Sequence, residues 1–147
     1  MVTMVTMSAR HKVVIKSYGG WNIRDMYDHL DAWLARNPSV LILHVGTNNT
    51  VNQTADEIMN ELETLQSWIK MRSLCRVIFS MPTVRRDNPK AAKVVRELQV
   101  KFLNSSLDFI DNRNILEDKH LGHKCLHLKD GGTRRLAKNY IEYLRQL

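Results

Sequence analysis

Apolar positions along this chain follow two periods. Short β-branched runs alternate with stretches that repeat every three or four residues, and the alternation predicts the order of elements. Lys12-Val-Val-Ile-Lys16 reads as a strand ending in the turn Tyr18-Gly-Gly20. Ile23, Met26, Tyr27, Leu30, Trp33 and Leu34 then share one helical face, and Asn37-Pro38 stops the helix because the residue before proline avoids helical angles. Val40-Leu-Ile-Leu-His-Val45 is a continuous apolar run, the pattern of a strand covered on both faces in a parallel sheet, and Gly46-Thr-Asn-Asn-Thr50 closes it in a loop. Thr54 with Glu57 forms a capping box ahead of an apolar stripe of Ile58, Leu62, Leu65 and Ile69.

A third strand, Arg76-Val-Ile-Phe-Ser80, is followed by a loop over Pro82 to Asp87 and by Asn88-Pro89, an N-cap with proline in the first helical turn. Val94, Val95, Leu98 and Phe102 carry that helix. Leu107-Asp-Phe-Ile110 reads as a fourth strand, and Asp111 to Lys129 as a loop-rich stretch with two short pieces. Asp130 is expected to cap a last helix whose inner face is Leu136, Tyr140, Ile141 and Leu144. Strand and helix thus alternate, which predicts a three-layer α/β/α sandwich with a mostly parallel sheet. Residues 1–147 read as a single domain, with residues 1–11 as a frayed N-terminal segment. The strands near Val13, Val40 and Val77 are expected to be neighbours in that sheet. Ligands in such folds bind beyond the carboxyl ends of the strands, here at Gly19-Gly20, Gly46 to Asn49, the loop after Ser80 and the loop holding His127.

Composition narrows the class. With 147 residues, 44% of them hydrophobic and 25% charged, the chain has the material for one core and is neither disordered nor collagen-like. No apolar run approaches the roughly 20 residues of a membrane span, and Met1 to Met7 lacks the features of a signal peptide, so the expectation is a soluble, intracellular protein, cytoplasmic or nuclear. Cys75 and Cys125, far apart, are expected to be free thiols. A net charge of +7 suits solvated helix faces, and it also suits an acidic partner such as nucleic acid.

The chain has no phosphate-cradling glycine loop, no G-x-S-x-G elbow and no dinucleotide fingerprint. What it has is Ser17-Tyr-Gly-Gly20 before the first helix, His44-Val-Gly-Thr-Asn-Asn49 after a buried strand, and Cys125-Leu-His-Leu128 with Gly132 before the last helix. These resemble three of the four sequence blocks of the SGNH (GDSL-type) hydrolases, over Val13 to Leu147. The wording of Arg85-Arg-Asp-Asn88, Phe109-Ile-Asp-Asn112 and Leu136-Ala-Lys-Asn139 is most similar to the esterase-like domains of animal retrotransposon proteins. The resemblance implies a flavodoxin-like sandwich and hydrolysis of an acyl ester without a cofactor. It assigns Gly20, ahead of Gly19, and Asn48 as oxyanion donors and His127 as general base, with Asn49 where the family has aspartate.

Two blocks depart from the family. No Gly-Asp-Ser occurs, so the first strand and its nucleophile are expected to be missing, and Lys124 replaces the carboxylate three residues before the histidine. Ser17, at the end of a strand, and Ser8 are the candidate substitutes. The expectation is therefore an N-terminally truncated esterase domain, weak or inactive as this chain stands, with Asn48, Gly20 and His127 lining one shallow pocket. The alternative is a non-enzymatic module that binds nucleic acid or another acidic partner through its basic surface. Losing a first strand is expected to leave an edge beside Val13 to Ile15 that either self-associates or is covered by the N-terminal residues. His120, His123, Cys125 and His127 carry zinc-ligand chemistry, but their spacing matches no closed zinc site and a polar loop accounts for them.

Overall fold

The computed structural model describes residues 2–7 and 12–147. Five strands form one sheet: β1 (Val2–Met7), β2 (Val13–Tyr18), β3 (Val40–His44), β4 (Arg76–Ser80) and β5 (Phe109–Ile110), in the order β2-β1-β3-β4-β5. The helices are α1 (Tyr27–Leu34), α2 (Ala55–Lys70), α3 (Pro89–Leu103), the short α4 (Glu117–His120) and α5 (Asp130–Leu144). None of them is long and apolar enough to cross a membrane. β3, β4 and β5 pair in parallel, as the crossovers through α2 and α3 require.

β1 corrects two expectations. Val2–Met7 is not frayed, and it separates β2 from β3, pairing antiparallel with both, so the strands at Val13 and Val40 run the same way without being neighbours. The N-terminal residues thus supply the strand beside Val13 to Ile15, between β2 and β3. Val2-Thr-Met-Val-Thr-Met7 is rich in β-branched residues but repeats every three, so it lacks the two-residue alternation that marks a strand.

The sheet buries Met4, Leu41, Leu43, Val77 and Phe79 against α1, α2 and α3, with Leu30, Leu62, Leu65 and Leu98 among the helix side chains. Its other face buries Val5, Ile42, Ile78 and Ile110, against which Tyr140, Tyr143 and Leu144 of α5 pack. The capping box is present: the Thr54 hydroxyl accepts from the Glu57 amide at 3.2 Å, and the Thr54 amide donates to Glu57 Oε2 at 2.9 Å. Asn88 caps α3 through the Ala91 amide at 3.1 Å.

α5 begins differently from the sequence reading. Its N-cap is Lys129, Asp130 is its first residue without a side-chain cap, and Ile141 is half exposed. The helix is seated by Gly132 and Asn139, its buried residues. A Cβ at Gly132 would stand 2.6 Å from the His120 carbonyl oxygen, 2.9 Å from His120 Cβ and 3.1 Å from Leu128 Cβ, whereas one at Gly131 meets nothing nearer than 4.0 Å. Gly132→Ala should therefore lower the unfolding free energy by about 1–3 kcal/mol through overpacking. Gly131→Ala, gaining helix propensity without a clash, should be neutral or stabilising by up to about 1 kcal/mol. Paired urea titrations check this, and equal effects at the two glycines would contradict it.

Candidate active site

The carboxyl edge of the sheet carries the residues singled out by sequence. Gly46 follows β3 with φ at 108°, a conformation that favours glycine, and it lets the chain turn into the short 3-10 helix Asn48–Val51. That turn is held by the Thr50 hydroxyl donating to the Thr47 carbonyl at 2.6 Å and by the buried Arg85, whose Nη1 donates to the same carbonyl at 3.0 Å. Asn49 staples the turn to its surroundings. Its Oδ1 accepts from the Ile23 amide at 3.1 Å, and its Nδ2 donates to Gln53 and, at 3.4 Å, to Glu61. One side-chain amide meets both needs, because it can accept and donate.

Asn48 Nδ2 donates to the Trp21 carbonyl at 2.6 Å, which draws it toward Gly20, itself at φ 76°. The two line a polar pocket of about 380 Å³ together with Asn22, Arg24, Asn52 and Glu61. His127 is not there. It is exposed, lies after a tight turn in which Cys125 takes φ 55° and Gly122 donates to the His127 carbonyl at 2.6 Å, and lines a different cavity of about 500 Å³. The expectation that Gly20, Asn48 and His127 share one pocket is thereby corrected: the first two come together and the third does not. Among the described residues, no carboxylate pairs with the His127 ring, and Lys124 is exposed.

Ser17 lines the larger cavity with His127, and its hydroxyl lies 3.1 Å from that of Thr3 on β1. Ser8 falls outside the described residues. His120 Nδ1 accepts from the Leu116 amide at 2.7 Å, and among the described residues no three His, Cys, Asp or Glu side chains are gathered to hold a metal.

Sequence reasoning missed a polar chain behind the site. His44 Nδ1 and Ser80 Oγ share a hydrogen bond of 2.9 Å, Asn112 Nδ2 donates to Ser80 Oγ at 2.8 Å, and Asn139 Nδ2 donates to Asn112 Oδ1 at 2.9 Å. These groups tie the ends of β3, β4 and β5 to α5. Burial lowers the His44 pKa to about 4, against the opposing effect of its Ser80 bond, so the imidazole is neutral at neutral pH. Burial likewise pushes the Tyr140 phenol up. The available signal was one polar residue, His44, inside an otherwise apolar strand.

No family model and no curated protein matches this sequence. Solved structures do match its fold. A lipolytic protein of the G-D-S-L family from Veillonella parvula superposes with a TM-score of 0.70 at 19% identity, over 87% of this chain and 77% of that one. The Clostridium thermocellum family 3 carbohydrate esterase gives 0.63 at 21%, over 88% and 69%. The esterase domain of the ORF1 protein of the zebrafish ZfL2-1 retrotransposon gives 0.58 at 21%, over 94% of both chains. The chain shares the fold of these G-D-S-L-family and esterase structures, as the sequence blocks implied.

Proposed function

We propose that this chain is an SGNH-type esterase domain whose hydrolytic centre is incomplete within these 147 residues, so that as it stands it binds more than it hydrolyses. The observation that carries this reading is the direction of β1. In an open α/β sheet the reacting groups sit at the carboxyl ends of the strands. The C-terminal residue of β1, Met7, lies opposite Val40, the first residue of β3, and so at the far edge from Asn48 and His127. A nucleophile placed after β1 in this arrangement would point away from both.

The remaining parts have chemical roles in waiting. The Asn48 amide keeps a second N–H beyond the one engaged by Trp21, and with the Gly20 amide it suits an oxyanion, where losing one donor typically costs about 3 kcal/mol of barrier. His127 would move the proton of an attacking hydroxyl, with Lys124 unable to orient it as a carboxylate would. The length of the match to the retrotransposon esterase domain supports placing the chain near that group.

A serine-reactive fluorophosphonate tests the reading. The chain should remain unlabelled, since among the described residues the serine hydroxyl that bonds a histidine, Ser80 to His44, is buried. Adding a family-type Gly-Asp-Ser strand at the N-terminus, which must displace β1 from between β2 and β3, should create labelling and slow hydrolysis of a short acyl ester. Activity should rise on Lys124→Asp and collapse on His127→Ala. Labelling of the unextended protein, mapped to Ser17 or another native serine, would overturn the proposal.

A further inference from the structure

The sheet face beneath α5 is ordered in two rows that follow from strand register. Ser17, Thr3, His44 and Ser80 lie side by side across β2, β1, β3 and β4, and one step back Ile15, Val5, Ile42 and Ile78 do the same. α5 covers the β3–β5 half of this face. Val5 of β1 is buried with that half, but Ile15 and Ser17 of β2 are exposed for a topological reason: β2 returns beside β1 as an antiparallel partner, and an antiparallel return needs no crossover helix to roof the sheet. What remains there is the cavity of about 500 Å³, walled by Leu126 and Leu128 on one side and by Leu136 and Ala137 of α5 on the other. Ile15, in its floor, is 62% exposed.

Its chemistry is specific. Among the described residues no Asp, Glu, Lys or Arg lines it, so a charged ligand group would lose hydration there without a counter-charge from them. Polar groups are nevertheless present: the Ser17–Thr3 hydroxyl pair, the hydroxyls of Thr47 and Thr83, and Tyr140, whose buried hydroxyl lies beside Ser80 but has no partner at hydrogen-bond geometry among the described residues. The neighbouring Ser80 hydroxyl is already bonded to His44 and Asn112. Cavities of this size, apolar with a few polar groups at fixed positions, are the usual form of a small-molecule site.

We propose that this cavity binds an uncharged aliphatic molecule with one oxygen-bearing end, its chain along the Ile15–Val5 row and its oxygen accepting from the Tyr140 hydroxyl. The site goes beyond the hydrolytic reading, because binding needs no attacking group. It would hold the aliphatic part of a neutral ester in the cavity that His127 borders.

Octan-1-ol, which cannot be hydrolysed, is the probe, followed by calorimetry and by methyl NMR of the full chain. Saturable binding should perturb the Ile15, Val5 and Leu136 methyls. Ala137→Trp, which fills the cavity, should abolish it, and Tyr140→Phe should weaken it about fivefold, the usual worth of one neutral hydrogen bond. Tyr140→Phe removes a single oxygen and keeps the test usable if Ala137→Trp does not fold. Octanoate at pH 8 should bind at least about tenfold more weakly than the alcohol, because its carboxylate finds no partner. The proposal falls if octanol does not bind saturably, if either variant binds like the parent, if octanoate binds better, or if sedimentation shows a second copy covering the face in place of ligand. Octanol binding without turnover by the serine-extended protein would leave this inference standing and remove the hydrolytic one.

Discussion

Replacing Arg85 by methionine is expected to lower the unfolding free energy by about 3 kcal/mol, the low end for breaking a buried pair by removing one partner. The Arg85 side chain is 4% exposed and has four hydrogen bonds. Nε and Nη2 donate to the two Asp87 oxygens at 2.8 and 2.6 Å, while Nη1 reaches the Thr47 carbonyl at 3.0 Å and the Thr50 hydroxyl at 3.2 Å. Its hydrogen bonds hold the Asp87 carboxyl below the usual range, despite a desolvation effect that works the other way. Methionine keeps much of the volume but leaves Asp87 without its cation and the turn that carries Asn48 without its clamp. Asp87 is 26% exposed, so water recovers part of the loss, which is why the low end applies. Arg85→Met with Asp87→Leu should be less destabilised than Arg85→Met alone, because the uncompensated carboxylate is then gone. Lys138→Met, which removes an exposed i,i+4 partner of Glu142, should cost no more than about 0.5 kcal/mol. Urea titration of the three proteins decides, and a loss at Arg85 as small as at Lys138 would mean the clamp carries no weight.

That clamp also marks where sequence reasoning stopped. α1, α2, α3 and strands β3 and β4 were legible because each satisfies a local rule by itself: a helical apolar stripe, a capping box, an Asn-Pro start, a continuous apolar run. Arg85 and Asp87 lie in a loop and look like two more surface charges, since what makes them structural is a partner 38 residues away at Thr47. β1 was missed for a similar reason. A strand at a terminus with a three-residue repeat gives no period to read, and its direction is decided by pairing with β2 and β3 rather than by anything within it. The motif residues Gly20 and Asn48 were placed together by the sequence blocks, because each block sits at a strand end. That His127 lines a different cavity was not legible, since it depends on the turn at Cys125.

Acidification should expose the polar chain behind the site. In the unfolded protein His44 takes up its proton near pH 6.5, but buried beside Ser80 it does so only near pH 4. Between those values the unfolded chain binds more protons than the folded one, so stability is full above pH 6.5, falls as pH falls, and levels off below about pH 4. At about 1.4 kcal/mol per pH unit, the His44 contribution lost is about 2 kcal/mol by pH 5 and about 3 by pH 4. The carboxylates of Asp87 and Asp111 are both held below 3.8 by hydrogen bonds from Arg85 and Arg113, so their stabilisation is lost only at lower pH and leaves this window to His44. His44→Gln keeps a group able to bond Ser80 but has nothing to titrate. Its unfolding free energy should therefore decline by about 2 kcal/mol less than that of the parent between pH 7 and pH 5. Equal declines in the two proteins would mean that folded His44 takes its proton as readily as a solvated imidazole. The row of Ser17, Thr3 and His44 along the cavity would then carry a charge at mildly acidic pH, and a neutral ligand would have no reason to prefer it.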